Sequence, residues 1–98
     1  MAYEIIWTAE ASTDLLAIAN YLKDNWSQTS ADKFIDNVIA RIEKLSKMPS
    51  LARSTKKENH FMYKLDKKNV LFFSKDDNKL ILLSIYPYKK DITKSKYY

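Results

Sequence analysis

The spacing of apolar residues changes near the middle of this chain, and that change constrains the fold more than any other feature. Up to about residue 48 the apolar residues recur every three or four positions, which is the period of an amphipathic helix. From residue 60 onward they occur in short runs, separated by polar turns at 66–69 and 76–79, which is the spacing of β-hairpins. The sequence therefore predicts an α+β fold.

The first half predicts one strand and two helices. Residues 3–7 are aromatic and β-branched, which favours a strand. The helices are expected over 9–25 and from Ser27 or Thr29 up to Pro49, because the residue before a proline avoids helical geometry. Since the connection between them is only three or four residues long, we predict an antiparallel helical hairpin. We interpret Trp7 and Trp26, which flank the first helix, as core anchors.

The second half predicts a basic surface loop over 50–59, followed by strands at 60–65, 70–75 and 80–86. Together with the first strand, this three-stranded antiparallel meander is expected to form one antiparallel sheet, with the helical hairpin across one face. The second and third strands of the meander are apolar on both faces, as Val-Leu-Phe-Phe and Leu-Ile-Leu-Leu. The other face must therefore be covered by the C-terminal tail, by another subunit in a homodimer, or by a bound partner.

Several classes of site are excluded by composition. The chain contains no cysteine and no glycine, so it has no disulfide framework, no thiolate site and no glycine-rich phosphate loop. With His60 as its single histidine, we expect no metal site and no cofactor. Turns must use Asn and Asp, which tolerate left-handed backbone best after glycine. No apolar stretch is long enough to span a membrane, and we expect a cytoplasmic protein.

Charge is distributed unevenly along the chain. Residues 1–40 carry two basic and six acidic side chains, whereas residues 41–98 carry fifteen basic and six acidic ones. The net charge of +5 thus hides an acidic half and a strongly basic half. A basic half of this kind attracts phosphate backbones or an acidic protein partner.

The order of elements carries residues that resemble the RelE/ParE toxin superfamily, and the resemblance covers nearly the whole chain as a single domain over 1–98. The helical half looks most like the ParE-type plasmid-stabilisation toxins. The matching positions are Thr8-Ala9, Asp14-Leu15, Ile18, Tyr21-Leu22, Asn25-Trp26-Ser27, Ala31, Phe34, Ile39, Ile42, Leu45, Pro49, Tyr63-Lys64-Leu65 and the basic segment after Tyr86.

The resemblance implies a small α+β toxin of a type II toxin–antitoxin module, with a cognate acidic antitoxin as partner. It leaves three functions open. The first is inhibition of a nucleic-acid enzyme such as DNA gyrase by binding, as ParE-type members do. The second is ribosome-dependent cleavage of mRNA without a metal, as an mRNA interferase of the RelE type. The third is a non-toxic module that keeps the fold for antitoxin binding or dimerisation.

Candidate site residues follow from these alternatives. For an RNase, His60 would act as base or acid and Lys89 would stabilise the phosphorane, backed by Arg53 and Lys64. The expected contacts to nucleic acid or to a partner are basic and aromatic: Lys56, Lys57, Tyr86, Tyr88, Lys90, Lys94, Lys96, Tyr97 and Tyr98. His60 and Lys89 stand about where the RNase branch has arginines, and a lysine cannot clamp phosphate bidentately. The two missing arginines favour the inhibitor over the RNase.

Overall fold

The expected helices and meander strands are present in the computed structural model, which describes residues 2–98 and leaves Met1, the first residue of the predicted domain, outside the described residues. The result is an α+β fold of two helices and one five-stranded sheet, with short 3-10 turns at Pro49–Leu51 and Ile92–Lys94. The helices and strands are β1 (Glu4–Trp7), α1 (Ala9–Asn25), α2 (Gln28–Lys47), β2 (Arg53–Ser54), β3 (His60–Lys64), β4 (Asn69–Asp76) and β5 (Lys79–Pro87).

Both helices begin at hydroxyl caps. The Thr8 hydroxyl accepts a hydrogen bond from the backbone N–H of Ala11 (3.2 Å) and donates one to the carbonyl of Leu82 (2.6 Å). The Ser27 hydroxyl accepts from the N–H of Ser30 at 3.0 Å, so α2 begins at Gln28. Such caps satisfy N–H groups that have no partner within the helix. Thr8 additionally fixes the start of α1 to the sheet.

Asp and Asn make the turns in this glycine-free chain. Asp77, between β4 and β5, has φ 53°, and Asn59, before β3, has φ 57°. Asp66 works through its side chain, whose Oδ1 accepts from the backbone N–H groups of Lys68 and Asn69, both at 2.8 Å. The prediction that Asn and Asp replace glycine at the turns is confirmed, by backbone conformation in one hairpin and by side-chain acceptors in the other.

The sheet has the order β1-β5-β4-β3-β2 and is mixed. The meander β3-β4-β5 is antiparallel as predicted, but β1 runs parallel to β5, with Glu4 opposite Lys79 and Trp7 opposite Leu82. The expectation of a fully antiparallel sheet was therefore wrong for one pairing. The predicted loop over 50–59 also contains the two-residue strand β2, in which Arg53 pairs with Met62. The local sequence pattern predicts neither the pairing of β1 with β5 nor that of β2 with β3, because each pairing depends on where another strand of the sheet lies.

The helical hairpin covers one face of the sheet and forms the core with it. The largest fully buried side chains on this face are Val38, Ile42, Leu45, Leu65, Leu71, Phe73, Leu80 and Leu82. Asp14 of α1 ties the layers together, since its Oδ2 accepts from the Ser84 hydroxyl (3.1 Å) and from the N–H of Ile85 (3.0 Å). These bonds lie beside the register shift in the pairing of β4 with β5 at Phe72/Phe73. Asp14 thus supplies an acceptor where the regular ladder is interrupted.

The opposite face of the sheet is covered by the chain's own C-terminal tail. Phe72 and Val70 point away from the helical core and are nevertheless 0% and 1% exposed. The ring of Tyr97, in the tail (residues 88–98), lies against Phe72 at a centroid distance of 6.4 Å, and the ring of Tyr86, at the end of β5, lies against it at 6.1 Å. Of the three covers that the sequence allowed, the tail is the one present in this structure.

Trp26 is not a core anchor. It is the C-cap residue of α1, with φ −130° and ψ −83°, and 73% of its surface is exposed. The helix ends one residue earlier, so the helical period that placed its side chain on the buried face no longer applies there. Trp7, in contrast, packs against the core from β1.

The two large aromatics Phe73 and Trp26 should differ sharply in their effect on stability. We expect Phe73→Ala to lower the free energy of unfolding by about 3–5 kcal/mol, because Phe73 is fully buried. Trp26→Ala should change it by about 0.5 kcal/mol or less, as for most surface substitutions. Urea unfolding followed by far-ultraviolet circular dichroism measures both. Equal losses in the two variants would contradict the described core.

Candidate functional site

Three features of the surface bring together most of the residues singled out from the sequence. The first is the C-terminal clasp, which we define as Tyr97 and Lys96 bound to Glu10 of α1. The Tyr97 hydroxyl donates to Glu10 Oε1 at 2.7 Å, and Lys96 Nζ lies 3.1 Å from the same oxygen. The backbone carbonyl of Tyr98 accepts from the N–H groups of Lys56 (2.8 Å) and Lys57 (3.2 Å). The tail is thus held from both sides of the sheet face that it crosses.

The clasp shifts the pKa values of its members. The hydrogen bond from Tyr97, with a further contribution from Lys96, holds the pKa of Glu10 below its ordinary value. The same bond, together with burial, raises the pKa of the Tyr97 hydroxyl, and the Glu10 carboxylate raises the pKa of Lys96. All three shifts favour the state in which Glu10 is ionised and Tyr97 and Lys96 keep their protons.

His60 packs under the clasp. Its ring stacks on Tyr97 with a centroid distance of 6.2 Å and an interplanar angle of 19°, and its Nδ1 lies 2.9 Å from the carbonyl oxygen of Glu58. The imidazole is half-buried. Its ring therefore supports the tail, and one of its two nitrogens already has a hydrogen-bond partner.

The second feature is the basic groove, a cavity of about 550 Å³ at the edge of the sheet. Four basic side chains and no acidic one line it. Arg41 is the best fixed of them, because its Nη2 donates to the carbonyl of Lys64 at 2.9 Å and its guanidinium lies 5.1 Å from the centre of the Tyr63 ring. The lining residues are Arg41, Lys44, Leu51, Arg53, Met62, Tyr63, Lys64, Val70, Tyr88 and Ile92.

The third feature is the apolar groove, a cavity of about 590 Å³ between the helical hairpin and one end of the sheet. One wall is apolar, and the other carries three lysines and one carboxylate, that of Asp66. Tyr88, which is 38% exposed, lines both grooves and separates them. The lining residues are Ala17, Ile18, Tyr21, Leu22, Phe34, Asp66, Lys67, Lys68, Asn69, Pro87, Tyr88 and Lys89.

The four residues considered for RNA cleavage do not lie together. Arg53 and Lys64 share the basic groove, and Lys89 lies at the apolar groove, beyond the end of β5. His60 is four residues from Lys64 along β3, a distance of about 13 Å in an extended strand. The register puts His60 opposite Ser74, at the other end of the meander from Lys89. His60 and Lys89 therefore cannot act on one phosphate in this arrangement.

The remaining candidate residues are spread over the surface. Lys56 and Lys57 are exposed beside the end of the tail, and Lys94 is exposed in the 3-10 turn. Tyr86 is half-buried against Phe72, where it packs rather than presents a free ring. Lys90 is exposed, and its backbone N–H donates to the carbonyl of Pro87 at 3.1 Å.

Several residues that the argument uses were missed as site residues from the sequence: Glu10 in the clasp, Arg41 and Lys44 in the basic groove, and Tyr21, Lys67 and Lys68 in the apolar groove. Glu10 lies in the first turn of α1, and nothing in the local sequence shows that the tail reaches it. A signal did exist for Arg41. It follows Val38 by three residues and precedes Leu45 by four, so it lies at the edge of the buried face of α2. A cation there can hold its charge at the rim of the core.

Across residues 2–98 the structure shows no group of three or more His, Asp or Glu side chains that could hold a metal ion. In the same part of the chain, no helix is long and apolar enough to cross a membrane.

Comparison with protein families identifies the chain. The model of the ParE toxin of type II toxin–antitoxin systems, parDE, matches residues 5–91. The chain belongs to this toxin family. A comparison with curated proteins finds no match.

Solved structures of similar proteins share the fold of this toxin. A chain of the chromosomal ParDE toxin–antitoxin system from P. aeruginosa matches with a TM-score of 0.78 at 17% identity, covering 88% of the toxin and 96% of that chain. A chain of the RelBE2 toxin–antitoxin complex from Mycobacterium tuberculosis matches with a TM-score of 0.60 at 15% identity, covering 89% and 99%. A chain of the YoeB dimer from Staphylococcus aureus matches with a TM-score of 0.58 at 13% identity, covering 86% of the toxin and 94% of that chain. At these identities the likeness establishes the fold alone.

The clasp predicts a pH dependence of stability. The pKa of Glu10 is lower in the folded toxin than its ordinary value of 4.5. The clasp therefore stabilises the folded toxin at pH values above 4.5, and this contribution is lost as the pH falls through the folded-state pKa of Glu10. The pKa of Tyr97 is raised, so its contribution is present below its ordinary value of 10.0 and is lost as pH rises through the folded-state value. Tyr97→Phe keeps the ring and removes the hydrogen bond.

We expect Tyr97→Phe to lower the free energy of unfolding by about 0.5–1 kcal/mol at neutral pH, and by less at pH values below the folded-state pKa of Glu10. Urea unfolding of both proteins across this pH range measures the difference. Tyr63→Phe is a matched control, since the Tyr63 hydroxyl is outside the clasp. A difference for Tyr97→Phe that does not change with pH would contradict the role of Glu10.

Proposed function

We propose that this toxin arrests growth by binding an enzyme that acts on DNA, such as gyrase, rather than by cleaving RNA. The separation of His60 from Lys89 is the observation that carries the proposal. Metal-independent RNA cleavage needs a base, a cation and an acid around a single phosphate. Two of the expected members of that set lie at opposite ends of the meander.

The surroundings of His60 support the same proposal. A general base needs a free nitrogen within hydrogen-bond reach of the proton that it removes. In His60 the Glu58 carbonyl engages Nδ1, so Nε2 is the only nitrogen that could act as a base, and the ring stacks on Tyr97 of the tail. These contacts suit a packing residue, and inhibition by binding requires no acid–base group.

The basic groove favours RNA cleavage as the second candidate function. Arg41, Lys44, Arg53 and Lys64 surround one cavity, and Tyr88 supplies an aromatic ring beside them. Cations next to an exposed aromatic ring are typical of sites that bind single-stranded RNA. Cleavage there would depend on cations and on Tyr88, because His60 is outside the groove.

We also propose an antitoxin partner, and we assign its apolar contacts to the apolar groove. A bound partner was one of the three covers that the sequence allowed for the second face of the sheet. The tail already covers that face, and Phe72 at its centre is fully buried. Apolar surface is instead available between the helices and Tyr88, where Tyr21 is 61% exposed. The three lysines along the opposite wall suit an acidic, amphipathic segment.

A substitution that preserves ring packing separates the two candidate functions. His60→Phe keeps an aromatic ring against Tyr97 and removes every acid–base group at this position. We expect cells expressing His60→Phe to stop growing as they do with the unchanged toxin, and purified toxin to inhibit gyrase supercoiling. Growth curves and supercoiling assays measure these two effects, and maps of mRNA 5′ ends made in parallel show whether mRNA is cleaved.

Site-specific mRNA cleavage by purified toxin on ribosomes, without an effect on gyrase, would overturn the proposal. Loss of that cleavage in Lys64→Ala but not in His60→Phe would assign the chemistry to the basic groove. Induction of the folded chain could also leave growth, supercoiling and mRNA all unchanged. That result would support a non-toxic module, in which the fold is kept for antitoxin binding or dimerisation.

Antitoxin binding can be tested with two exposed aromatics, one inside the apolar groove and one outside it. We expect Tyr21→Glu to weaken binding of the cognate antitoxin by tenfold or more, because it introduces a charge into an apolar contact. Trp26→Glu is the matched control, since Trp26 is 73% exposed and does not line the groove. Isothermal titration measures both. Equal effects of the two variants would refute this placement of the antitoxin.

A further inference from the structure

The basic side chains around the basic groove are not neutralised by the fold. Among residues 2–98, the pair of Lys96 with Glu10 is the only salt bridge within 4 Å. Arg41, Lys44, Arg53 and Lys64 therefore have no carboxylate partner in the described chain, and no acidic side chain lines the cavity that they surround. Four unpaired charges of one sign around a cavity create a strongly positive local potential.

One of these cations is held in place before any ligand arrives. The Arg41 guanidinium is fixed by its hydrogen bond to the Lys64 carbonyl and by its position over the Tyr63 ring, which is itself buried. Neither partner carries a charge that would cancel that of Arg41. A guanidinium fixed in this way loses less conformational entropy when it binds an anion.

The other cations are placed around it by regular structure. Lys44 lies three residues after Arg41 on α2, so its side chain projects from the same side of the helix, about 5–6 Å away at Cβ. Arg53 pairs with Met62, and Lys64 lies two residues beyond Met62 on the same face. Arg53 and Lys64 are thus diagonal neighbours, about 7–8 Å apart. Helix α2 and the strand pair β2–β3 provide two cations each.

We propose that the basic groove binds the phosphodiester backbone of a nucleic-acid strand. Phosphates complement the four cations, and Tyr88 offers an exposed ring on which a base can stack. An acidic polypeptide fits less well, because β2 has only two residues and gives an added strand almost no ladder to join. Backbone binding is a property additional to enzyme inhibition, and it can be measured without the target enzyme.

The test uses fluorescence anisotropy of purified toxin with labelled single strands of about 12 nucleotides. With four phosphate contacts, the affinity should fall about 50-fold between about 50 and 200 mM salt, because each contact to a single strand releases counterions. The double variant Arg53→Glu with Lys64→Glu should bind at least tenfold more weakly and show about half the salt dependence. Lys23→Glu with Lys33→Glu is the control, since it changes the net charge by a similar amount on the helices, outside the groove.

The titration is done with a DNA strand and with an RNA strand, and the comparison shows which nucleic acid the groove prefers. Equal affinity for DNA and RNA would mean that the groove recognises the phosphodiester backbone alone. Tighter binding of one of them would mean that the groove also recognises a feature of that nucleic acid. Three results would overturn the proposal: no binding at about 50 mM salt, equal losses in the groove variant and the control variant, or tighter binding of an oligoglutamate peptide than of either strand. Circular dichroism of each variant shows whether it is folded. Loss of gyrase inhibition without loss of strand binding would concern the proposed function alone.

Discussion

The C-terminal tail that covers the second face of the sheet is the constraint on which the rest of the molecule depends. Strands β4 and β5 are apolar on both faces of the sheet, and the helical hairpin can bury only one of these faces. Phe72 would lie in water on the other side, but Tyr86 and Tyr97 exclude water from it. The tail is short, so apolar contact alone holds it weakly; the hydrogen bond and ion pair to Glu10 fix its last residues across the sheet.

This arrangement decides which surfaces are available to partners. Because the tail crosses the sheet face, that face is closed to an antitoxin in the state described here, and His60 becomes part of the tail's support. The open surfaces lie instead on either side of Tyr88, one basic and one mostly apolar. Two partners of different chemistry would therefore contact different residues except at Tyr88, which lines both grooves and which both partners would touch.

The sequence predicted the elements well because their signals are local. Helical periods and Asp or Asn turns each depend on a few neighbouring residues, and the start of α2 at Ser27 and the turn at Asp77 are as expected. The ends of elements and the distant pairings were less accessible. Trp26 was misplaced by extending a helical period one residue past the end of the helix, and the parallel partner of β1 is seventy-five residues away along the chain. The candidate site shows the same limit: Arg53 and Lys64 were found as basic residues, whereas Glu10 belongs to a contact that no local pattern encodes.

The number of ion pairs in the structure shows whether the acidic and basic halves of the chain neutralise each other. If the acidic first forty residues and the basic remainder served mainly to attract each other, salt bridges between the helices and the second half of the chain would be numerous. The described chain has one, between Lys96 and Glu10, and it fastens the tail. Surface ion pairs contribute little to stability in any case. The unpaired cations instead produce a field that extends into solvent, and around the basic groove they are concentrated where Arg41 is already fixed. A fold that needs so few of its charges for its own stability leaves them available for binding.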